Sequence, residues 1–276
     1  MNQKIKKIAK FLVPRWLINY YYYISGQTIR FVGVYPNWQA AEKDAKGYDD
    51  AAILQQVIAK MQLVVSGKAA YERDGVVFDE PTYPYPLIAL LLRAATENNN
   101  KLTVLDFGGS LGSTYYQCRS FLQGVCDLNW CVVEQSHFVE AGNKNFANDV
   151  LSFHDFIADS LEHHNPNVVL FSGVLQYLPE PFAILQEAIS SKADYIVIDR
   201  NPFIEYGKTM LSLQKIPKQI VEASYPVWLF NEQEFKQVFV EKYDEIASFD
   251  AIDATIGQGR LTSNFKGVIF KRIEKK

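Results

Sequence analysis

The stretch Lys101-Leu-Thr-Val-Leu-Asp-Phe-Gly-Gly-Ser-Leu-Gly112 decides the fold of this chain. Its short apolar run is typical of a buried parallel strand, and the residues from Ser113 onward return to a helical composition. Gly108 and Gly109 allow backbone conformations that other residues avoid, so the strand can turn sharply into the helix. In open α/β sheets, nucleotide-like cofactors bind in the crevice outside the carboxyl end of such a strand. We therefore expect a ligand to approach bare backbone at this loop.

The spacing of the glycines distinguishes between cofactors. A dinucleotide fingerprint reads G-x-G-x-x-G, whereas this loop reads Asp-x-Gly-Gly-x-x-Gly from Asp106 to Gly112. It is not a phosphate loop, because no Gly-Lys-Ser/Thr follows and no lysine lies between Lys101 and Lys144. The pattern fits better a loop that binds S-adenosylmethionine, in which Asp106 secures the methionine ammonium and the glycines admit the rest of that group.

A second apolar run, Asn129-Trp-Cys-Val-Val-Glu134, also ends in an acid, about 28 residues after Asp106. This spacing is near the roughly 20-residue offset of the ribose-binding acid in dinucleotide sites. A carboxylate can accept from both ribose hydroxyls, and hydrogen bonds to charged groups contribute about 1.5–3 kcal/mol each. Glu134 is therefore predicted to anchor the cofactor. The alternative is a surface acid that ends a strand.

Composition and charge limit the class of protein. With 276 residues, of which 48% are hydrophobic and 21% charged, the chain can bury a full core. Its net charge of −3 argues against a nucleic-acid partner. The cysteines at 118, 126 and 131 are odd in number and lack C-x-x-C spacing, which favours a reducing, cytoplasmic location without disulfides. We expect them to be small core residues, and we expect no metal site.

Residues 4–16 mix lysines with apolar side chains in a basic amphipathic pattern. A signal peptide is not indicated, since Pro14 and Arg15 interrupt the apolar run and no cleavage site is evident. Two interpretations stay open. The segment contacts the inner face of an anionic membrane peripherally, with the tyrosines at 20–23 at the interface, or it is an ordinary helix that packs on the domain.

Strands alternate with helices along most of the chain. Strands are predicted at 101–106, 129–134, 150–153, 167–173, 195–199, 243–248 and 265–270, the last two separated by a flexible loop at 255–260. Helices are predicted at 38–46, 51–65, 87–97, 138–148 and 231–241, and residues 31–86 otherwise at turns and loops. The alternation predicts an α/β fold with a doubly wound, mostly parallel sheet and an antiparallel addition at its end.

Four motifs carry a resemblance to a known family: Leu105-Asp-Phe-Gly-Gly-Ser-Leu-Gly-Ser-Thr-Tyr-Tyr-Gln117, Trp130-Cys-Val-Val-Glu-Gln135, Leu170-Phe-Ser-Gly-Val-Leu-Gln-Tyr-Leu178 and Ile198-Asp-Arg-Asn-Pro-Phe203. Together with Phe31-Val-Gly-Val-Tyr-Pro-Asn-Trp38, they resemble the methyltransferases encoded among bacterial surface-polysaccharide genes, over nearly the whole chain. The resemblance implies a class I, Rossmann-like fold with seven strands that binds S-adenosylmethionine. Residues 1–86 would then be an N-terminal helical cap, and residues 87–276 the Rossmann-like methyltransferase domain.

Carried over by position, the resemblance implies a set of cofactor-binding residues. The methionine part is assigned to Asp106, Gly108, Gly109, Ser110 and Gly112, the ribose to Glu134 with Gln135 beside it, the adenine to Asp155, and the segment near the methyl group to Ser172, Gly173 and Gln176. For Asp155, ordinary helix capping is an equal alternative.

Candidate catalytic residues follow the fourth and fifth predicted strands. Tyr177, Asp199 and Arg200 lie at carboxyl ends of central strands, where an acceptor should meet the methyl group. Asp199 is the candidate base for a hydroxyl proton, and Arg200 is a candidate to bind a carboxylate or phosphate. The alternative is an Asp199–Arg200 pair that orders the following loop. No histidine is placed in the pocket by its position in the sequence, and His163 and His164 are expected at a solvated helix end.

Loops outside the motifs supply further candidates for acceptor contacts. The segments 71–74 and 79–86 are predicted to form a polar, aromatic loop over the pocket. The candidate contacts are Glu72, Arg73, Asp79 and Tyr83, with Gln214 and residues 225–228 completing the wall.

These observations predict a cytoplasmic S-adenosylmethionine-dependent methyltransferase that O-methylates a sugar or sugar-linked intermediate of surface glycan assembly. The sugar part follows from the resemblance alone. Three alternatives stay open: a methyltransferase for an unrelated small metabolite, a cofactor-binding partner of glycan-assembly enzymes without turnover, and a nicotinamide-dependent oxidoreductase, which the glycine spacing disfavours. The sequence does not determine the oligomeric state.

Overall fold

The computed structural model describes residues 30–46, 50–216, 223–251 and 263–274. The basic segment at 4–16, the tyrosines at 20–23 and the loop at 255–260 therefore lie outside the described residues. Within the described ranges, no helix is both long and apolar enough to cross a membrane.

The described strands are β1 (Arg30–Tyr35), β2 (Tyr71–Arg73), β3 (Val76–Phe78), β4 (Lys101–Phe107), β5 (Asp127–Val133), β6 (Leu151–His154), β7 (Val168–Ser172), β8 (Tyr195–Ile204), β9 (Met210–Lys215), β10 (Ser224–Asn231), β11 (Tyr243–Asp250) and β12 (Asn264–Arg272). The described helices are α1 (Trp38–Asp44), α2 (Asp50–Val65), α3 (Tyr85–Glu97), α4 (Ser113–Leu122), α5 (Ser136–Asn145), α6 (Ile157–His163), α7 (Pro181–Ser190) and α8 (Glu232–Gln237). A short 3₁₀ turn, Leu175–Tyr177, follows β7.

The central sheet has the strand order β6-β5-β4-β7-β8-β12-β11. The strands from β6 to β8 are parallel, whereas β12 is antiparallel to both β8 and β11. The chain starts this sheet in the middle, at β4, and builds outward first on one side and then on the other. This order confirms the predicted doubly wound, mostly parallel sheet of the Rossmann-like, class I methyltransferase type.

Apolar side chains alternate between the two faces of the central strands. On the first face, Val104 and Trp130 belong to a core that includes residues of α2, α3, α4 and α5. On the second face, Leu105 and Val133 share a core with α6, α7 and α8. Cys118, in the first core, and Cys131 are buried as predicted, whereas Cys126 is only partly buried.

Three strands that the sequence analysis did not predict extend the sheet beyond β8. The end of β8 pairs in parallel with β10, β10 pairs antiparallel with β9, and β9 pairs antiparallel with β1. The prediction that residues 31–35 lie in the turns and loops between N-terminal helices is therefore wrong, because they form β1. Gly33 has a φ of 79° and lies at a register shift between Val32 and Tyr35, and a bulge of this kind interrupts the alternation that reveals a strand. The proposed domain boundary at residue 86 stays a prediction.

The segment at 71–74, predicted as a loop, begins a β-hairpin. β2 and β3 pair antiparallel around a turn at Asp74-Gly75, where φ is 50° and 72°. Asp-Gly is a typical hairpin turn because both residues tolerate positive φ. The loop prediction failed because each strand has only three residues, too few for an alternating pattern to be visible.

Candidate functional site

The glycine loop lies where the order of the sheet reverses, between the carboxyl ends of β4 and β7. Gly108 has a φ of 72°, and its N–H donates to the carbonyl of Val133 at 2.8 Å. A side chain on Gly108 would clash with the methyl groups of Val174, just after β7. The loop therefore presents bare backbone at the crevice where open α/β sheets bind ligands.

Asp106 lies directly beneath this loop. Its side chain is fully buried, and Oδ2 accepts a hydrogen bond from the indole N–H of Trp130 at 3.0 Å. A Cβ on Gly109 would lie only 2.6 Å from the same oxygen. The second oxygen, Oδ1, has no hydrogen-bond partner within the described part of the chain, which is uncommon for a buried carboxyl group. Burial, helped by the nearby charge of Glu134, raises the pKa of Asp106 from 3.8 to about 7.

Glu134 follows β5 and binds the same loop from the side. Its Oε1 accepts from the backbone N–H of Ser110 at 3.3 Å, and its Oε2 accepts from the N–H of Gln135 at 2.9 Å. Burial raises the pKa of Glu134, and these two backbone hydrogen bonds oppose the rise. Each carboxylate oxygen has a second lone pair, so both can still accept from ligand hydroxyls.

Asp155 follows β6 and is exposed. The N-cap residue of α6 is Phe156, one position later. The structure therefore does not support the alternative that Asp155 is the capping residue of this helix.

A cavity of about 240 Å³ opens between the glycine loop, the β2–β3 hairpin, the end of β7 and the middle of β8. Among the predicted site residues, its lining includes Glu72, Arg73, Gly108, Gly109, Ser110, Ser172, Asp199 and Arg200. The predicted residues outside its lining are Asp79, Tyr83, Asp106, Gly112, Glu134, Gln135, Asp155, Gly173, Gln176, Tyr177, Gln214 and 225–228. The predicted residues thus divide between the cavity and its surroundings.

Asp199 and Arg200 occupy a β-bulge in β8. The register with β12 shifts between Lys266 and Val268, so that both residues lie opposite Gly267. Arg200 has a φ of 57°, a left-handed conformation that costs a non-glycine residue on the order of 1–3 kcal/mol. In a regular strand, neighbouring side chains point to opposite faces, and a bulge changes that direction. Here both residues line the same cavity.

The contacts of these two residues link the bulge to the end of β7 and to the hairpin turn. Asp199 is buried, and its Oδ2 is 3.5 Å from the hydroxyl of Ser172. Arg200 forms an ion pair with Asp74 at the hairpin turn, 126 residues away in sequence. The side chain of Asp74 is 71% exposed, so this ion pair contributes only about 0–1 kcal/mol. After Arg200 the chain continues as β8, so the bulge does not lead into the loop that the alternative interpretation required.

The side chain of Glu72 links the hairpin to the start of α4 by hydrogen bonds. Its Oε2 accepts from the hydroxyl of Ser113, and its Oε1 accepts from the N–H of Gly75 at 2.6 Å. Burial raises the pKa of Glu72, and both hydrogen bonds act against that rise. The neighbouring Arg73 donates to Oε1 of Gln117 at 3.4 Å, so a second bond joins the hairpin to the same helix.

Tyr177 belongs to a polar network between the 3₁₀ turn and the strands β9 and β10. Its hydroxyl donates to Oε1 of Gln214 at 3.2 Å, and Nε2 of Gln214 donates to the hydroxyl of Tyr225 at 3.0 Å. Gln176, beside it, donates to the carbonyl of Arg200 at 3.4 Å. The network therefore supports the backbone of the bulge.

The remaining predicted acceptor contacts lie elsewhere. Asp79 is exposed. The ring of Tyr83 packs edge-on against Phe121 at 4.9 Å and lines a second cavity of about 180 Å³, together with Arg119.

Several cavity residues were not singled out from the sequence. They are Ile53, Val57, Asp74, Gly75, Pro84, Leu87, Ser113, Thr114 and Gln117. The Asp74-Gly75 dipeptide is a recognised hairpin signal that could have revealed the turn. Ser113 and Thr114 open the helix after the glycine loop, a position that faces the ligand in many α/β sites.

The sequence matches no protein-family model, and no curated protein matches it. Among solved structures, the chain is similar to 1,6-didemethyltoxoflavin-N1-methyltransferase from Burkholderia thailandensis, with 11% identity, 83% of this chain and 92% of that chain covered, and a TM-score of 0.45. It is also similar to the N-terminal domain of EvdMO1, crystallised with S-adenosylhomocysteine and D-fucose, with 11% identity, 83% and 100% coverage and a TM-score of 0.48. A third similar structure is an amino pentose methyltransferase from Micromonospora echinaspora, with 11% identity, 67% and 90% coverage and a TM-score of 0.43. Likenesses this distant say nothing about the activity of this chain.

Proposed function

We propose that this chain is an S-adenosylmethionine-dependent methyltransferase. The observation that carries the proposal is the cavity between the glycine loop and the Asp199–Arg200 bulge, at the carboxyl edge where the strand order reverses. This is the place where open α/β sheets bind ligands. Two features fit a cofactor with a cationic methionine part: the bare backbone at Gly108 and Gly109, and the Oδ1 atom of the buried Asp106, for which the described residues supply no hydrogen bond.

The cofactor contacts would extend beyond the cavity. A volume of about 240 Å³ is below the roughly 300–1,000 Å³ of typical small-molecule pockets, so it suits the methionine end and part of an acceptor. Asp106 and the loop at 108–110 would hold the methionine part, with Ser172 nearby. Glu134 and Asp155, along the carboxyl edge of the next strands, would bind the ribose and the adenine. When bound, the cofactor supplies a methyl group on a sulfonium centre.

Asp199 is the proposed general base. Its carboxyl group is buried, lines the cavity and contacts Ser172, so it is held in place to take a proton from an acceptor hydroxyl. A positioned base of this kind contributes roughly 10²–10⁴-fold to the rate. The apolar side chains of Ile53 and Val57 line the same cavity, where they exclude water and restrict how the acceptor lies.

We infer further that the acceptor is a sugar or sugar-linked intermediate of surface glycan assembly. The cavity wall is rich in groups that bind hydroxyls and phosphates, with Glu72 and Arg73 on the hairpin and Arg200 on the bulge. The resemblance of the four sequence motifs supports the same substrate class. A cytoplasmic location, with peripheral membrane contact through residues 4–16, is part of this proposal.

The cofactor is tested by calorimetric titration with S-adenosylhomocysteine, with NAD as the control ligand. Saturable micromolar binding of the first ligand alone is the expected result. Binding of NAD alone would overturn the proposal in favour of an oxidoreductase. If neither ligand binds, the glycine loop has only a structural role in the fold.

Turnover is tested with a panel of nucleotide sugars and unrelated hydroxylated metabolites as acceptors. Release of S-adenosylhomocysteine is the measured signal. The variant Asp199→Asn should lower turnover on the active acceptor by roughly 10²-fold or more, with affinity for S-adenosylhomocysteine unchanged. The matched control is Asp194→Asn. Asp194 directly precedes the first residue of β8, and its carboxylate forms an ion pair with Arg272 at 2.9 Å. Cofactor binding without turnover on any acceptor would favour the non-catalytic partner instead.

A further inference from the structure

A cysteine and two histidines meet at a place that shares no residue with the cavity lining. Cys131 lies on β5, His154 is the last residue of β6, and His164 directly follows α6. One ligand atom from each, the thiol sulfur or a ring nitrogen, lies within 4.8 Å of the other two. The sequence showed no metal-ligand spacing here, because the three residues come from separate elements. His164 does follow a helix end, as predicted, but it is partly buried.

The fold places two of the three residues on neighbouring strands and the third at the end of a helix. Cys131 pairs with Ser152 across the β5–β6 ladder, and His154 lies two residues further along β6, so both side chains are on the same face of the sheet. α6 contacts these strands, and its first residue, Ile157, belongs to the core of the second face. At the end of α6, the N–H of His164 donates to the carbonyl of Ser160 at 3.0 Å, and the backbone becomes extended. His164 is thereby directed back toward the strands, with its ring 6.1 Å from that of His154.

We propose that Cys131, His154 and His164 bind a divalent transition metal ion, with zinc as the ion that the ligand set suits best. A thiolate and two imidazoles are typical zinc ligands, whereas magnesium and calcium prefer oxygen. With Zn–S and Zn–N bonds of about 2.0–2.3 Å, tetrahedral ligand atoms lie roughly 3.3–3.7 Å apart. The three ligand atoms, which lie within 4.8 Å of one another, would therefore move closer together by about 1 Å when the ion binds.

The surroundings of the three side chains are suited to a metal site. The hydroxyl of Ser152 is 3.0 Å from Nε2 of His154, a contact that orients the ring. Burial raises the pKa of the Cys131 thiol, and the hydroxyls of Ser152 and Ser160 lower it. Binding of the ion releases the thiol proton to solvent, and the positive charge of the ion compensates the buried thiolate.

A metal ion here would join the end of α6 to β5 and β6. His154 directly precedes Asp155, so the ion would also fix the start of the segment that is proposed to bind adenine. The metal proposal does not depend on the methyltransferase proposal, since neither the ligands nor the test involves the cavity.

The test is equilibrium dialysis of the purified full chain against zinc, followed by metal analysis, with magnesium as the control ion. Saturable binding of one zinc ion per chain is expected, with a rise in melting temperature that a chelator reverses. Cobalt substitution should give the near-ultraviolet band of a thiolate–cobalt bond, which reports Cys131 directly. The variants Cys131→Ser and His164→Asn should each weaken zinc binding by at least about 100-fold, because loss of even an outer-shell partner costs 10–100-fold.

Two matched variants remove the same chemical groups elsewhere. Cys126→Ser removes a partly buried thiol, and His137→Asn removes an imidazole that packs on Phe138, and both should bind zinc like the wild type. His164→Asn changes a residue outside helix and strand, so it keeps the test decisive if Cys131→Ser does not fold. Absence of saturable zinc binding, or equal binding by wild type and His164→Asn, would overturn the proposal.

Discussion

Binding of the cofactor should be linked to a proton on Asp106. In the free protein, the pKa of this buried carboxyl group is about 7, so below that pH the group is mostly protonated. A cationic methionine ammonium would favour the ionised form and lower this pKa. The proton must then leave on binding, so affinity should rise as pH increases toward 7 and level off above it.

The size of this linkage follows from the two pKa values. At about pH 6, roughly nine in ten molecules carry the proton, and roughly half carry it at pH 7, so binding should release about 0.9 and 0.5 proton respectively. The affinity should rise by up to about tenfold per pH unit between pH 5 and 7. If binding returns the pKa fully to its ordinary value of 3.8, the linked free energy is about 4 kcal/mol.

The assay is calorimetry with S-adenosylhomocysteine in buffers of different ionisation enthalpy, at several pH values from 5 to 7. The variant Asp106→Asn keeps an oxygen that can accept from the indole of Trp130, so it should fold, and its affinity should vary less with pH. An equally steep pH dependence in this variant, or none in the wild type, would refute the assignment of Asp106 to the ammonium.

Three further predictions concern the same loop. Without ligand, the free energy of unfolding should fall by up to about 4 kcal/mol between pH 4 and 7. The unfolded chain loses the Asp106 proton near the ordinary pKa of an aspartate, whereas the folded chain keeps this proton up to about pH 7. Chemical denaturation at several pH values should show a smaller fall in the Asp106→Asn variant. Gly108→Ala should destabilise the protein by about 2–4 kcal/mol, because the alanine would have a positive φ and would clash with Val174. Gly67→Ala, at a similar φ of 71° but with open space around it, should destabilise the protein by only about 1–2 kcal/mol. Urea unfolding measures both changes. Glu134→Ala should weaken S-adenosylhomocysteine binding by about tenfold or more while Glu140→Ala, an exposed acid on α5, leaves it unchanged; equal affinities in calorimetry would remove Glu134 from the site.

The central sheet was predictable because its strands are continuous apolar runs. The run at 101–106 was placed within one residue of β4, and the run at 167–173 contains the whole of β7. The missed strands lack that pattern. β10 contains Pro226, which is unusual inside a sheet, and β1 contains Gly33 at a bulge. A strand that is interrupted by a proline or a bulge shows neither a continuous apolar run nor a regular alternation, and sequence patterns do not reveal it.

The candidate site was predictable where one segment carries it and not where distant segments meet. The glycine loop and Glu134 follow from local motifs at strand ends. The Asp74–Arg200 ion pair joins residues 126 positions apart, and the bulge that brings Arg200 to the cavity depends on pairing with β12. Such contacts arise from tertiary packing, which a single sequence does not display.

The edge strand β1 has a consequence for how the chain is made. The hydroxyl of Ser212 on β9 binds the carbonyl of Gly33 on β1, across 179 positions of sequence. At a synthesis rate of about 5–20 residues per second, β1 waits roughly 9–36 s before its partner strand leaves the ribosome. During that time its apolar residues Val32 and Val34, exposed even in the folded protein, can pair with other nascent chains. We therefore expect β1, although translated before the rest of the sheet, to dock only after β9 has emerged and to be accessible to a chaperone until then.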